Sequence, residues 1–144
     1  MKLTISRAIL ALSLAFTSLT LQAQSTQPPV EKFDAYIAQV YTHSGKDFIK
    51  PDSRRYAYFK DLYQNRIKFV KNDAKKLTLD NSLVKLSSVP LYDTYNKGIM
   101  RDASFDPLQF NPFKYNIDFY SSEKLIYWID NSDYLLVITP QERN

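Results

Sequence analysis

No cysteine occurs among the 144 residues, and there is a single histidine. The first absence excludes a disulfide framework, a thiol nucleophile, thiolate-ligated zinc and iron–sulfur centres. It also excludes the anchor of bacterial lipoproteins, whose acyl chains need a cysteine directly after the leader. The second leaves zinc without its usual nitrogen and sulfur ligands. A run long enough to span a bilayer is missing as well. The apolar stretch Ile9–Phe16 is short, broken by Ser13, preceded by Lys2 and Arg7 and followed by Gln22-Ala23-Gln24. That is the pattern of a secretory signal peptide, with cleavage expected after Ala23. The mature domain is then 24–144, which is 121 of the 144 residues, with neither a transmembrane segment nor a lipid anchor.

Charge of one sign is also scarce. The net charge of +4 falls to +2 once Lys2 and Arg7 leave with the leader, too little for a general nucleic-acid binder, which needs a concentrated basic surface. An exported domain without disulfides must rest on its apolar core. A chain of this length buries roughly two-thirds of its unfolded surface, and 11 Tyr, 9 Phe and 1 Trp supply the large side chains.

Along the chain, Ser25–Gln27 is expected to be unstructured, and Pro28-Pro29 suits a first helical turn. Val30, Phe33, Ile37 and Val40 or Tyr41 then recur at helical spacing, with Gly45 just beyond the end, predicting a helix over 29–43. Asp52 or Ser53 can cap a second helix. Its stripe Tyr56, Phe59, Tyr63, Ile67 and Val70 predicts a helix over 53–72. Leu77 to Leu91 switches to strand composition, with Pro90 marking an edge or exit. Tyr92–Pro112 has turn residues but no period, which predicts a long ordered loop. From Phe113 the period is two, through Tyr115, Ile117 and Phe119. Leu125–Ile129 and Tyr134–Ile138 flank the polar Asp130–Asp133 and predict a hairpin placed centrally in the sheet. The fold class is α+β: two N-terminal helices packed on one face of a small antiparallel sheet that ends in a C-terminal hairpin.

Few residues carry chemistry. His43, with Asp47 as an orienting partner, could act as a base, but it sits at the end of the first helix, where its charge suits the dipole. Asp93, Asp102 and Asp106 are oxygen donors without the alternating order and glycine of a calcium loop, and Asp106-Pro107 and Asn111-Pro112 are ordinary turn chemistry. No cofactor is implied. Loop and strand carboxylates (Asp102, Asp106, Asp118, Glu123) could be paired for glycan hydrolysis, although sequence spacing does not select a pair. Lys60, Lys68, Lys71 and Lys75 fall on one side of the second helix and could meet a polyanion or lipid headgroups, or simply face water. Tyr95, Arg101, Asp102, Phe105 and Phe110 remain as candidates for binding a partner, since rings beside Asn and Asp in a loop can stack on sugars or anchor a protein.

The stretch Val89–Leu91, Tyr95–Lys97, Arg101-Asp102, Phe105–Pro107 and Phe110–Asn116, with Tyr127–Asp130 and Asp133–Ile138, resembles small exported proteins of unknown function from Bacteroidota. The resemblance covers the C-terminal half and is one of general pattern. It implies an exported bacterial protein and carries no catalytic assignment. Only Gln141–Asn144 follow the last predicted strand, so no sorting domain is expected and the periplasm is favoured over the exterior. The expectation is a non-enzymatic periplasmic or secreted protein that binds a protein partner or envelope component through its aromatic loop. The alternatives are a small envelope glycan hydrolase and a binder of polyanions or lipid headgroups.

Overall fold

Proline sets the start of the first helix. Pro29 caps a 3₁₀ turn, Val30–Lys32, which runs into α1 (Phe33–Val40) and buries Phe33, Tyr36, Ile37 and Val40 on one face. In the computed structural model, which describes residues 24–72 and 83–142, α1 is shorter than the 29–43 predicted. Tyr41 leaves helical geometry (φ −101°, ψ 70°) and turns its ring into the core. Gly45 makes room for this, because a Cβ there would lie 2.9 Å from the Tyr95 ring and 3.0 Å from the Tyr41 Cβ. His43, which is exposed, opens the 3₁₀ turn that ends at Gly45.

The second helix starts as predicted and ends early. Ser53 caps α2 (Arg54–Asp61), its hydroxyl accepting the Tyr56 N–H at 3.1 Å. Leu62–Arg66 then widens to a π-helical turn, and residues 67–71 form strand β2 (Ile67–Lys71) rather than the last turns of a helix. The stripe through Ile67 and Val70 fits a helix, but it leaves Phe69 on the wet side. A strand buries Ile67 and Phe69 together. Asp61 stabilises the widened turn, accepting from Asn65 Nδ2 (2.8 Å) and from Arg66 Nε (3.0 Å), while the Arg66 guanidinium lies 4.6 Å from the centre of the Tyr58 ring. Local widening of this kind absorbs a change of backbone direction.

Among the described residues the sheet has five strands in the order β1-β2-β5-β4-β3, with β1 Ser25–Thr26, β3 Val84–Lys85, β4 Leu125–Trp128 and β5 Tyr134–Ile138. The predicted hairpin is β4–β5, registered from Leu125↔Ile138 to Trp128↔Leu135. Its polar loop closes with the Ile129 N–H on the Tyr134 carbonyl at 3.0 Å. Asn131 takes the left-handed conformation (φ 58°) that a short polar side chain tolerates. β5 also pairs with β2, from Ile67↔Ile138 to Lys71↔Tyr134, so it is central.

Two expectations need correction. Ser25–Thr26 is not unstructured: it pairs with Val70 and Phe69, and the Lys71 N–H reaches the Gln24 carbonyl at 3.0 Å, covering an edge that would otherwise hold unpaired backbone groups. The α+β class and the antiparallel sheet are as expected, with the short β3 running parallel to β4. Within the Leu77–Leu91 segment, residues 77–82 lie outside the described residues. The period of two after Pro112 does not make a strand. Pro112–Lys114 is a 3₁₀ turn, Tyr115 forms an isolated bridge with Leu91, and the Ile117 and Phe119 N–H groups donate to the carbonyls two residues back (2.8 and 2.9 Å). Successive γ-turns of this kind keep side chains alternating without a partner strand. Tyr115, Ile117 and Phe119 are accordingly buried, while Asn116 and Asp118 are exposed.

The helices and the loop bury one face of the sheet around interlocked rings. Phe113, 1 % exposed, meets Phe33, Phe59, Tyr63 and Phe119 with centroids 5.5 to 6.1 Å apart. Such pairs add about 0.5–1.5 kcal/mol each beyond their area. The Tyr63 hydroxyl, at the rim of this cluster, donates to the Pro29 carbonyl at 2.9 Å.

Burial raises the phenols of Tyr36, Tyr41 and Tyr63, and Tyr36 is pushed up to about 12, with Asp102, Asp106 and Glu31 adding to the effect. The folded state therefore keeps phenolic protons that the unfolded chain releases at pH 10. Stability should be full below pH 10 and fall as pH rises from 10 through 12. In a near-ultraviolet titration followed together with circular dichroism, the last phenolates should appear as secondary structure is lost. Reversible ionisation of all tyrosines in a folded protein would contradict this packing.

Candidate functional site

Residues 92–111 contain turns but neither helix nor strand. Their ends are stitched side by side, the Tyr92 N–H donating to the Lys114 carbonyl and the Asn116 N–H to the Pro90 carbonyl, both at 2.8 Å. Inside the loop, Asp106 accepts the Leu108 N–H (2.9 Å) and Asn111 the Phe113 N–H (3.0 Å), the turn chemistry expected of Asp or Asn before proline. Asn111, 1 % exposed, also donates to the Tyr36 carbonyl (3.1 Å) and to Gln39 Oε1 (2.8 Å), which fastens the loop to α1. Thr42 holds the first part of the loop, donating to the Tyr95 carbonyl at 2.6 Å.

The candidate rings face inward. Phe110 is buried and Phe105 half-buried; they pack on each other at 5.2 Å and both on Phe69, while Phe105 reaches Tyr134 at 5.0 Å and Phe110 stacks on Tyr115 at 5.5 Å. Tyr95 belongs to a separate cluster with Tyr41, Phe48 and Tyr92. These side chains hold the loop on the domain, Phe110 fully and Tyr95 and Phe105 half-buried.

Arg101 and Asp102 are exposed but positioned. The Arg101 guanidinium donates to the Leu86 carbonyl (3.2 Å) and to the Val89 carbonyl, and lies over the Tyr115 ring, 5.4 Å from its centre. Asp102 Oδ1 accepts from Lys114 Nζ at 2.7 Å; the Lys114 side chain is 4 % exposed and that of Asp102 34 %. Between these groups and the tip of the β4–β5 hairpin lies an open cavity of about 360 Å³. Its walls are Arg101–Phe105, Leu86-Ser87 and Ile129–Asn131, with Phe110 and Tyr115 at its base. Burial foremost, and then the Asp102 charge, raise the Tyr115 phenol, with Arg101 opposing, so it remains a neutral hydroxyl at ordinary pH. The second carboxylate on the wall, Asp130, accepts from the Ser87 hydroxyl (2.7 Å) and N–H (2.8 Å).

Four of the five partner-binding candidates, Arg101, Asp102, Phe105 and Phe110, thus line one cavity, and Tyr95 does not. Asp106, Asp118 and Glu123 do not line it either; Asp118 borders a separate cavity of about 120 Å³. The basic set is not one helical face. Lys60 is on α2, Lys68 and Lys71 are on β2 at positions of opposite parity, and Lys75 lies outside the described residues. Asp47 pairs with Lys50 at 3.0 Å. Among the described residues no three His, Asp or Glu side chains gather as metal ligands, and no helix is long and apolar enough to cross a membrane. Sequence reasoning missed Lys114, Tyr115 and Asp130-Asn131, which read as strand and hairpin-loop residues. The one signal was a lysine between two rings.

The chain matches no protein-family model, and comparison with curated proteins and with solved structures finds nothing similar to it.

The ion pair at the cavity wall is asymmetric. Replacing Asp102 with Ala leaves a buried ammonium without its carboxylate and should lower stability by about 1–3 kcal/mol. Lys114→Met keeps the buried stem and leaves a carboxylate that water can reach, so its loss should stay under about 1 kcal/mol. Urea unfolding of the two variants measures the difference, and equal losses would contradict the one-sided burial.

Proposed function

We propose that this is an exported, periplasmic, non-enzymatic binding protein whose recognition site is the cavity framed by residues 101–105 and the hairpin tip, engaging an envelope component or a protein partner. One observation carries the reading: an arginine locked between two backbone carbonyls and a tyrosine ring at the wall of a cavity in the size range of ligand sites. A guanidinium has five donors, and fixing it in advance lowers the entropy lost on binding. The carboxylates beside it suit anchoring better than proton transfer, since each already accepts a charged or doubled hydrogen bond, Asp102 from Lys114 and Asp130 from Ser87. The leader-like start of the chain supports export, and Gln24, the first residue after the expected cleavage, supplies the first carbonyl of the sheet.

A photo-cross-linking side chain at Ala103 on the cavity wall, compared with one at exposed Lys46, tests the site in intact cells. Position 103 should give a discrete adduct that position 46 does not, on a protein that begins at Gln24. Equal labelling from both positions, or none from 103, would overturn the assignment of the site.

A further inference from the structure

The chemistry of the wall narrows the ligand class, an argument that rests on the binding reading above. We propose that the cavity takes a neutral saccharide. One cation, Arg101, and two carboxylates, Asp102 and Asp130, line the cavity; Lys114, buried behind the lining, neutralises Asp102 at 2.7 Å, so the formal charges of these four groups cancel. A balanced wall gives a phosphate, a carboxylate or an ammonium no net attraction, because the field that would favour one charged group is opposed by its neighbour.

A balanced wall can still offer hydrogen bonds in both directions. The Arg101 guanidinium and the Asp102 carboxylate both line the cavity; Asp102 Oδ1 is on Lys114, and Oδ2 takes no hydrogen bond among the described residues. Ser104 and Asn131 add groups that donate and accept. A sugar hydroxyl does both at once: of two neighbouring hydroxyls, one can donate to Asp102 while the other accepts from Arg101. A pyranose also has an apolar C–H face, and Leu86, Phe105, Phe110 and Ile129 supply an apolar surface to meet it. The volume of about 360 Å³ has room for about a dozen waters, a number close to the non-hydrogen atoms of one hexose. A disaccharide could seat one ring and leave the second at the open mouth.

The test is the amide spectrum of ¹⁵N-labelled protein titrated separately with lactose, cellobiose and N,N′-diacetylchitobiose, and with N-acetyl-trialanine amide and inorganic phosphate as the competing classes. At least one disaccharide should shift the amides of residues 101–105 and 129–131 saturably. Arg101→Lys, which keeps the charge but loses the planar fork, should weaken that binding about tenfold. Ala103→Trp, at an exposed wall position where no bond is removed, should abolish it in a protein whose other amides are unchanged. Silence from all three disaccharides overturns the saccharide assignment. If the peptide or phosphate shifts the same amides instead, the cavity stands as a binding site with another ligand class. If the cross-link at 103 also fails, both readings fall.

Discussion

The packing of Phe113 among the rings of Phe33, Phe59, Tyr63 and Phe119 is the contact on which the rest of the domain depends. It joins α1, α2 and the segment after the long loop, three parts of the chain with no backbone ladder between them. With no cysteine available, cross-links cannot replace it. Asn111, two residues earlier, sets its entry by accepting the Phe113 N–H while donating into α1. A ring and an amide therefore convert the end of an irregular loop into core.

That conversion explains how a loop of this length can frame a cavity. Ordering about twenty residues without secondary structure is opposed by roughly 1–2 kcal/mol of backbone entropy per residue. The opposing gains are spread along the loop: Tyr95 against Tyr41 and Phe48, Phe105 and Phe110 against Phe69, Lys114 against Asp102. At the cavity, what the loop offers is polar: Arg101, Asp102 and Ser104, beside the rings of Phe105 and Phe110. On the proposed reading, recognition there rests on pre-set donors and acceptors more than on exposed aromatic anchors.

The elements legible in the sequence were those with local causes. Ser53 caps, Asp106 and Asn111 turn, and Asp130–Asp133 loops between two apolar strands, each through its own side-chain chemistry. What was not legible came from tertiary choice. Ile67 and Val70 fit a helical stripe as well as a strand, and only the vacancy beside β5 decides for the strand. The alternation of Tyr115, Ile117 and Phe119 signals burial parity, which γ-turns satisfy as well as a ladder does. At the site, Arg101, Asp102, Phe105 and Phe110 stood out because polar and aromatic residues crowd one aperiodic stretch. Lys114 and Asp130 did not, since a lysine in an alternating segment and an aspartate in a hairpin loop both read as solvated. The lysine face dissolved when the helix that would have aligned it became a strand.

The central claim is that the loop is part of the core and does not merely cover it. Native-state hydrogen exchange measures this directly. The amides of Tyr92, Phe113 and Asn116, which bind the two ends of the loop, should exchange with the same free energy and denaturant dependence as those of β2 and β5, through global unfolding. Exchange of these three through a low-energy local opening, while the sheet amides stay protected, would contradict the account.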